Sequence, residues 1–235
     1  MITKKAITIE IISEAGVGKT DFISRIPDVT LCDLTPSQES DVIFLKYHDE
    51  KYFDDHYFPC QTFNDILHAI RDMPENTRTF AIDGSQYIVD MAEAQWIKEQ
   101  PRQREAALQR EYGALYSMVR EKIIYPLIKK PCNVVLTSIL KDVWINEKRT
   151  GQRERSGFKP FDVMRDFGLY LYTEENTRKN KIVKNRFISP IITDKDGNQI
   201  DNPAYIKTLL PEANWITLID AICVTSSAMQ RKWVV

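Results

Sequence analysis

The sequence predicts an α/β protein with a mostly parallel central sheet flanked by helices and a C-terminal antiparallel hairpin. Apolar runs of strand length alternate with segments of helical period, a glycine-rich turn follows the first strand, and a later strand ends on Asp83. At 235 residues, 43% hydrophobic and 28% charged, the chain suits one large α/β domain. We expect a single domain over residues 1–235, its core running from about 5 to 190 and a hairpin and helix from about 190 to 235. A net charge of -1 gives no global pull toward nucleic acid or anionic membranes, so such binding must come from local clusters.

The first strand lies in the apolar run from Ile7, which leads into Ser13-Glu14-Ala15-Gly16-Val17-Gly18-Lys19-Thr20. A loop that wraps phosphates needs glycines so that backbone N–H groups turn inward, a lysine for the outer phosphates and a hydroxyl for magnesium. Gly16, Gly18, Lys19 and Thr20 supply these, with Ser13 where the usual pattern has its first glycine. The plainer alternative is a glycine-rich strand-to-helix turn with an exposed lysine. A short helix from Thr20 to about Arg25 ends before Pro27, and Val29 to Leu34 forms a second buried strand. Ser37 to Pro59 has no clean period and reads as an irregular surface loop, its His48, Tyr52, Phe53, His56 and Tyr57 notwithstanding.

Thr62 caps a helix with Asp65 placed for the reciprocal bond; Phe63, Ile66, Leu67 and Ile70 form its apolar side, and it stops by Pro74. Thr79 to Asp83 is a strand ending on a carboxylate. If it lies beside the first strand, Asp83 and the Thr20 hydroxyl converge on one hard cation. Ordinary turn chemistry also explains Asp83-Gly84-Ser85. Helices are expected from Tyr87 to Lys98 and from Arg104 to Lys129, broken at Pro101. The second buries Leu108, Tyr112, Leu115, Val119, Ile123 and Leu127, and Pro126 should kink it or end it early.

A strand from Asn133 to Ile139 carries Thr137 and Ser138 at its end, where hydroxyls sense a bound phosphate. Lys141 to Lys159 reads as a long, mobile, basic loop. Its Lys141, Lys148, Arg149, Arg153 and Arg155 suit backbone phosphates, and Trp144 or Phe158 suits a base. Solvated surface is the competing explanation. Further on, Phe161 to Asp166 forms a helical turn, and Leu169 to Tyr172 and Lys181 to Ile188 form strands with Arg178 and Lys179 between them. Asp196-Gly197 marks a hairpin, Pro203 to Pro211 is ambiguous, and Ala213 to Cys223 is a final helix packing Trp215, Leu218, Ile219 and Ile222. Cys32, Cys60, Cys132 and Cys223 lack metal or redox spacing and read as buried free thiols. No leader or membrane span is evident, so a cytoplasmic location is expected.

Ser13 to Thr20, Phe80 to Asp83, Thr137-Ser138 and Lys181-Ile182-Val183-Lys184-Asn185-Arg186 together resemble the RecA/KaiC/DnaB group of oligomeric ATPases. The resemblance covers roughly Ile7 to Pro190. The length is more like that of the small RecA-core proteins of phages, archaeal viruses and archaea. It implies a RecA-like fold, ATP and Mg2+ as cofactors, a homo-oligomeric filament or ring with ATP at subunit interfaces, and action on single-stranded DNA in recombination, annealing or repair.

In that group Lys184 and Arg186 would reach ATP held by a neighbouring subunit, and the loop after Thr137-Ser138 would hold DNA. The stretch that ends in a catalytic glutamate in RecA reads Asp33-Leu34-Thr35, and threonine is no general base at neutral pH. Asp33 or Glu39 then orients water, or turnover is slow. A non-catalytic, nucleotide-gated regulatory or assembly subunit is the alternative, and a small-molecule kinase whose lid is the segment from Lys141 is a weaker one.

Overall fold

The structure, a computed structural model, describes residues 7–99, 106–107, 109–145, 148–186, 191–202 and 218. The chain starts with β1 (Thr8–Ser13), α1 (Lys19–Ser24), β2 (Val29–Asp33), α2 (Gln38–Leu45), α3 (Glu50–His56), β3 (Tyr57–Pro59), α4 (Phe63–Asp72) and β4 (Thr79–Asp83). It continues through α5 (Ile88–Glu99), α6 (Tyr112–Val119), α7 (Tyr125–Lys129), β5 (Asn133–Ile145), β6 (Lys148–Ser156), α8 (Phe161–Met164), β7 (Phe167–Glu174) and β8 (Thr177–Asn185). A small hairpin, β9 (Ile191–Thr193) and β10 (Gln199–Asp201), turns at Gly197, as Asp196-Gly197 predicts. Of the expected final helix only Leu218 is described, helical and buried; the rest, with Pro203 to Pro211, lies outside the described residues.

The central sheet runs β3-β2-β4-β5-β1-β7-β8, with β6 paired to β5. From β3 to β7 neighbouring strands are parallel; β8 pairs antiparallel to β7, and β6 to β5. Parallel strands need both faces covered, and the alternation of side chains delivers two cores. Ile9, Ile11, Ala81 and Val135 pack with Phe22, Ile23 and Phe44 of α1 and α2. Phe80, Ile82, Val134 and Leu136 pack on the other face with Ile66, Ile88, Leu115, Val119 and Leu127 of α4 to α7. Among the described residues no helix is long and apolar enough to cross a membrane.

Ser37 to Pro59 is ordered rather than irregular. Ser37 and Asp49 cap α2 and α3 by accepting from the N–H groups of Ser40 and Tyr52. Each helix is too short to show a clear period, and aromatic packing holds them instead. His48 stacks on Tyr52 at 4.5 Å, Tyr52 on His56 at 3.8 Å, and Phe44 lies 5.4 Å from Tyr57. The capping box at Thr62 and Asp65 forms as expected. Pro126 does not end the helix early: a π turn over Arg120–Ile124 interrupts the α-helix ahead of it and places it in the first turn of α7, where a missing N–H costs nothing.

Two further expectations change, while the reading of the cysteines as buried free thiols holds for Cys32, Cys60 and Cys132. Lys141 to Lys159 is a β-hairpin arm, since β5 continues past the sheet and β6 returns along it. Arg178 and Lys179 lie within β8, whose turn falls earlier, at Glu175 and Asn176 with φ of 50° and 60°. Cys32 and Cys60, distant in sequence, lie sulfur to sulfur at 3.2 Å, both thiols free and buried.

Candidate functional site

The parallel strands end at one edge, where Ser13, Lys19, Thr20, Asp33, Asp83, Thr137 and Ser138 come together. The loop after β1 turns through Gly16 (φ 76°) and Gly18 (φ 91°), left-handed conformations that a side chain would strain. Gly18 then caps α1, its carbonyl accepting from Phe22 N–H at 3.1 Å. Ser13 is fully buried. Lys19 Nζ donates to Ser13 Oγ at 2.9 Å and to the Glu14 carbonyl at 3.1 Å, so the residue departing from the usual pattern holds the lysine in place. Burial lowers the Lys19 pKa, and nearby Asp83 partly opposes it.

Asp83, at the end of β4, is buried and accepts from two hydroxyls. Thr20 Oγ1 donates to its Oδ2 at 2.6 Å, and Thr137 Oγ1 donates to its Oδ1. Thr137 in turn accepts from Gly84 N–H at 2.8 Å. Burial raises the Asp83 pKa against the pull of these hydroxyls and Lys19. One geometric expectation is corrected: β1 and β4 are not neighbours, because β5 lies between them. Convergence is achieved across β5, whose Thr137 fills the gap that an adjacent pair would not have. Among the described residues no group of three or more His, Cys, Asp or Glu converges on a metal position. A hydroxyl beside a carboxylate suits a hard cation such as magnesium that takes its remaining ligands from phosphate and water, and the glycine turns beside Lys19 suit the phosphates. The residues therefore fit the Mg–polyphosphate group.

Asp33 ends β2 opposite Asp83 in register. Its Oδ1 accepts from Thr35 N–H and its Oδ2 from the Tyr57 hydroxyl, both at 2.8 Å, within full burial. Burial, with Asp33 nearby, raises the Tyr57 pKa and keeps that hydroxyl a donor. Thr35 is exposed, and Glu39 is exposed in the first turn of α2.

Behind Thr137, Ser138 faces a cluster that sequence inspection missed. Glu10, wholly buried on β1, accepts from Ser138 Oγ at 2.5 Å and pairs with Arg155 and Arg165. A lone acid inside Ile7-Thr8-Ile9-Glu10-Ile11-Ile12 was the available signal, because a buried carboxylate must be paired. Ser85 Oγ lies 3.0 Å from Ser138 Oγ, and Gly157 closes over both, since a Cβ there would lie 3.2 Å from Ser85 Oγ and overlap Ser138. Arg155 is thus the largely buried anchor of the arm.

The other arm candidates differ from it. Lys141 and Lys148 are exposed, Arg149 bonds Asp142 at 2.7 Å, and Arg153 pairs with Asp142 and with Glu14 of the glycine-rich loop. Trp144 lies on β5 opposite Arg149. Phe158 is fully buried against Tyr116 and offers no ring to a base. Lys184 pairs with Gly168 in register, and Arg186 bonds Asp166 at 3.0 Å, at the opposite edge of the sheet from Gly18. Arg178, at the other end of β8, lies against Gly18; sequence inspection assigned it no role. Comparison of the chain with protein-family models and with curated proteins finds no match.

Proposed function

We propose that this is a RecA-like P-loop protein that binds ATP with Mg2+, hydrolyses it slowly, assembles with ATP at subunit boundaries and acts on single-stranded DNA through its basic arm. The observation that carries the reading is the meeting of Lys19, the Thr20 hydroxyl and Asp83 at one strand edge, with Thr20 Oγ1 and Asp83 Oδ2 2.6 Å apart. Magnesium, when bound, neutralises charge on the outer phosphates. Lys19 and the N–H groups of the glycine-rich turn hold the phosphates, and Thr137 keeps Asp83 oriented from the intervening strand.

The position of Lys184 and Arg186 supports action in trans. Lys184 lies six strand steps from Arg178, about 20 Å by strand rise, so the pair does not serve its own loop. It suits a neighbour's ATP. The arm leaves the sheet directly after Thr137 and Ser138, and Arg153 of the arm touches Glu14 of the loop, so strand binding and nucleotide state share residues.

Asp33 favours the alternative of a nucleotide-gated regulatory subunit. Both of its oxygens are engaged by Thr35 and Tyr57, which makes it a positioning group rather than a base for water. Binding of a fluorescent ATP analogue with Mg2+ tests the core of the proposal: Lys19→Ala should lose tight binding, and unchanged affinity would sink the site. Hydrolysis with and without single-stranded DNA separates the two roles, stimulation marking the ATPase and binding with negligible turnover the regulator.

A further inference from the structure

Arg178 carries an inference that rests on the nucleotide reading and deepens it. Its guanidinium lies directly on the glycine-rich loop: a Cβ on Gly18 would stand 2.8 Å from Arg178 Cζ and 3.4 Å from Nε. Gly18 is constrained by its left-handed φ, and the Arg178 guanidinium fills the space beside it. The antiparallel β7–β8 turn brings this about, because it starts β8 at the loop edge and leaves Lys184 and Arg186 at the far edge.

The surroundings of the guanidinium are those of an anion site. Asp21, the residue after Thr20, places a carboxylate on the first turn of α1, beside a loop built for phosphates. By itself that charge would repel a polyphosphate. It is surrounded instead by Arg25 at 2.6 Å, Arg178 at 3.2 Å and Lys46 at 3.8 Å, and accepts from the Tyr47 hydroxyl at 2.6 Å. Three cations around one carboxylate leave positive charge at the rim of the loop. Arg25 already pairs with Asp21 along the helix, so fixing α1 does not require Arg178. A guanidinium has five N–H donors in a planar fork, and among the described residues Arg178 makes one hydrogen bond, to Asp21, with its side chain 38% exposed.

We infer that Arg178 is a nucleotide-binding residue supplied by the same chain, its guanidinium contacting the inner phosphates of a nucleoside di- or triphosphate while Lys19 holds the outer ones. The site then takes cations from two sources: Arg178 from the chain that owns the loop, and Lys184 with Arg186 from the neighbour.

The test measures ADP and ATP dissociation constants with Mg2+ for the wild type, Arg178→Ala, Arg178→Lys and Asp21→Asn, each checked for folding by circular dichroism. Arg178→Ala should weaken ADP and ATP alike by about tenfold or more, and Arg178→Lys should recover only part, because an ammonium lacks the fork. Asp21→Asn separates binding from structure. If Arg178 binds phosphate, removing the competing carboxylate leaves affinity at or above wild type. If Arg178 merely braces Asp21, Asp21→Asn loses affinity as Arg178→Ala does, and the inference is overturned. It is also overturned if Arg178→Ala or, should that variant not fold, Arg178→Lys binds ADP and ATP within twofold of wild type. A wild-type protein that binds neither nucleotide removes the nucleotide reading itself, a result distinct from both.

Discussion

Replacing Glu10 by Gln probes the buried cluster that ties the basic arm to the strand bearing the glycine-rich loop. Glu10 is 0% exposed, and the side chains of Arg155 and Arg165 are 11% and 14% exposed, so water screens these pairs little. Glutamine keeps the shape and one acceptor, and Ser138 Oγ retains a partner. The charge is lost, and two guanidiniums lose their buried carboxylate. Breaking a buried pair by removing one partner costs about 3–5 kcal/mol. Both arginines retain some access to water and relax toward it, so the lower end, about 3 kcal/mol, is expected. For a chain of this length each kcal/mol moves Tm by roughly 2–4 °C, giving a fall of roughly 6–12 °C by calorimetry or fluorescence. Hydrogen exchange supplies a local readout, because β6 should lose protection ahead of β2 and β4. A Tm within about 1 °C of wild type, with β6 protected as before, would refute the reasoning.

The Asp83 carboxyl has a raised pKa, so its contribution to stability is fully present below the unfolded value and is lost as pH rises through the folded value. Asp83→Asn should therefore raise the Tm of the nucleotide-free protein at pH 7 and lose that advantage near pH 4, while abolishing Mg2+-dependent ATP binding; a less stable variant at pH 7 would contradict the burial argument. Neutralising Arg149 and Arg153 together should flatten the log–log salt dependence of single-strand binding by about 1.4, at about 0.7 per lost phosphate contact, and a slope equal to wild type returns the arm to solvated surface. A Lys184→Ala/Arg186→Ala protein should bind ATP without hydrolysing it. Mixed with Lys19→Ala protein it should recover a fraction of the activity, and full activity in a strict monomer excludes the trans arrangement.

The parallel sheet, the glycine-rich turn, the capping box and Asp83 were legible because each depends on local spacing: apolar alternation, left-handed glycines, a Thr62/Asp65 pair and a strand ending on a carboxylate. What the sequence concealed depends on pairing between distant residues. The insertion of β5 between β1 and β4 has no local signature, so Thr137 could be read as a sensor but not as the bridge. α2 and α3 were hidden because cross-packing of Phe44, Tyr52 and Tyr57 stabilises them more than helix period does. The arm was mistaken for a loop because β6 holds no apolar side chain from Lys148 to Ser156 and so lacks the apolar alternation that marks a half-buried strand. Arg178 passed unnoticed because its meaning lies in a neighbour, Gly18, that is distant in sequence.

One consequence of the length of β5 is mechanical. The strand that supplies Thr137 to the site runs on to Ile145 in the arm, with an irregularity in its pairing to β6 between Asp142 and Trp144. Eight residues of strand span about 26 Å, so the outer end of the arm stands well away from Thr137. Arg155 ties the returning strand to Glu10 beside Ser138, so the base of the arm and the nucleotide edge share one anchor, while among the described residues the outer ones connect to the sheet only through the two strands.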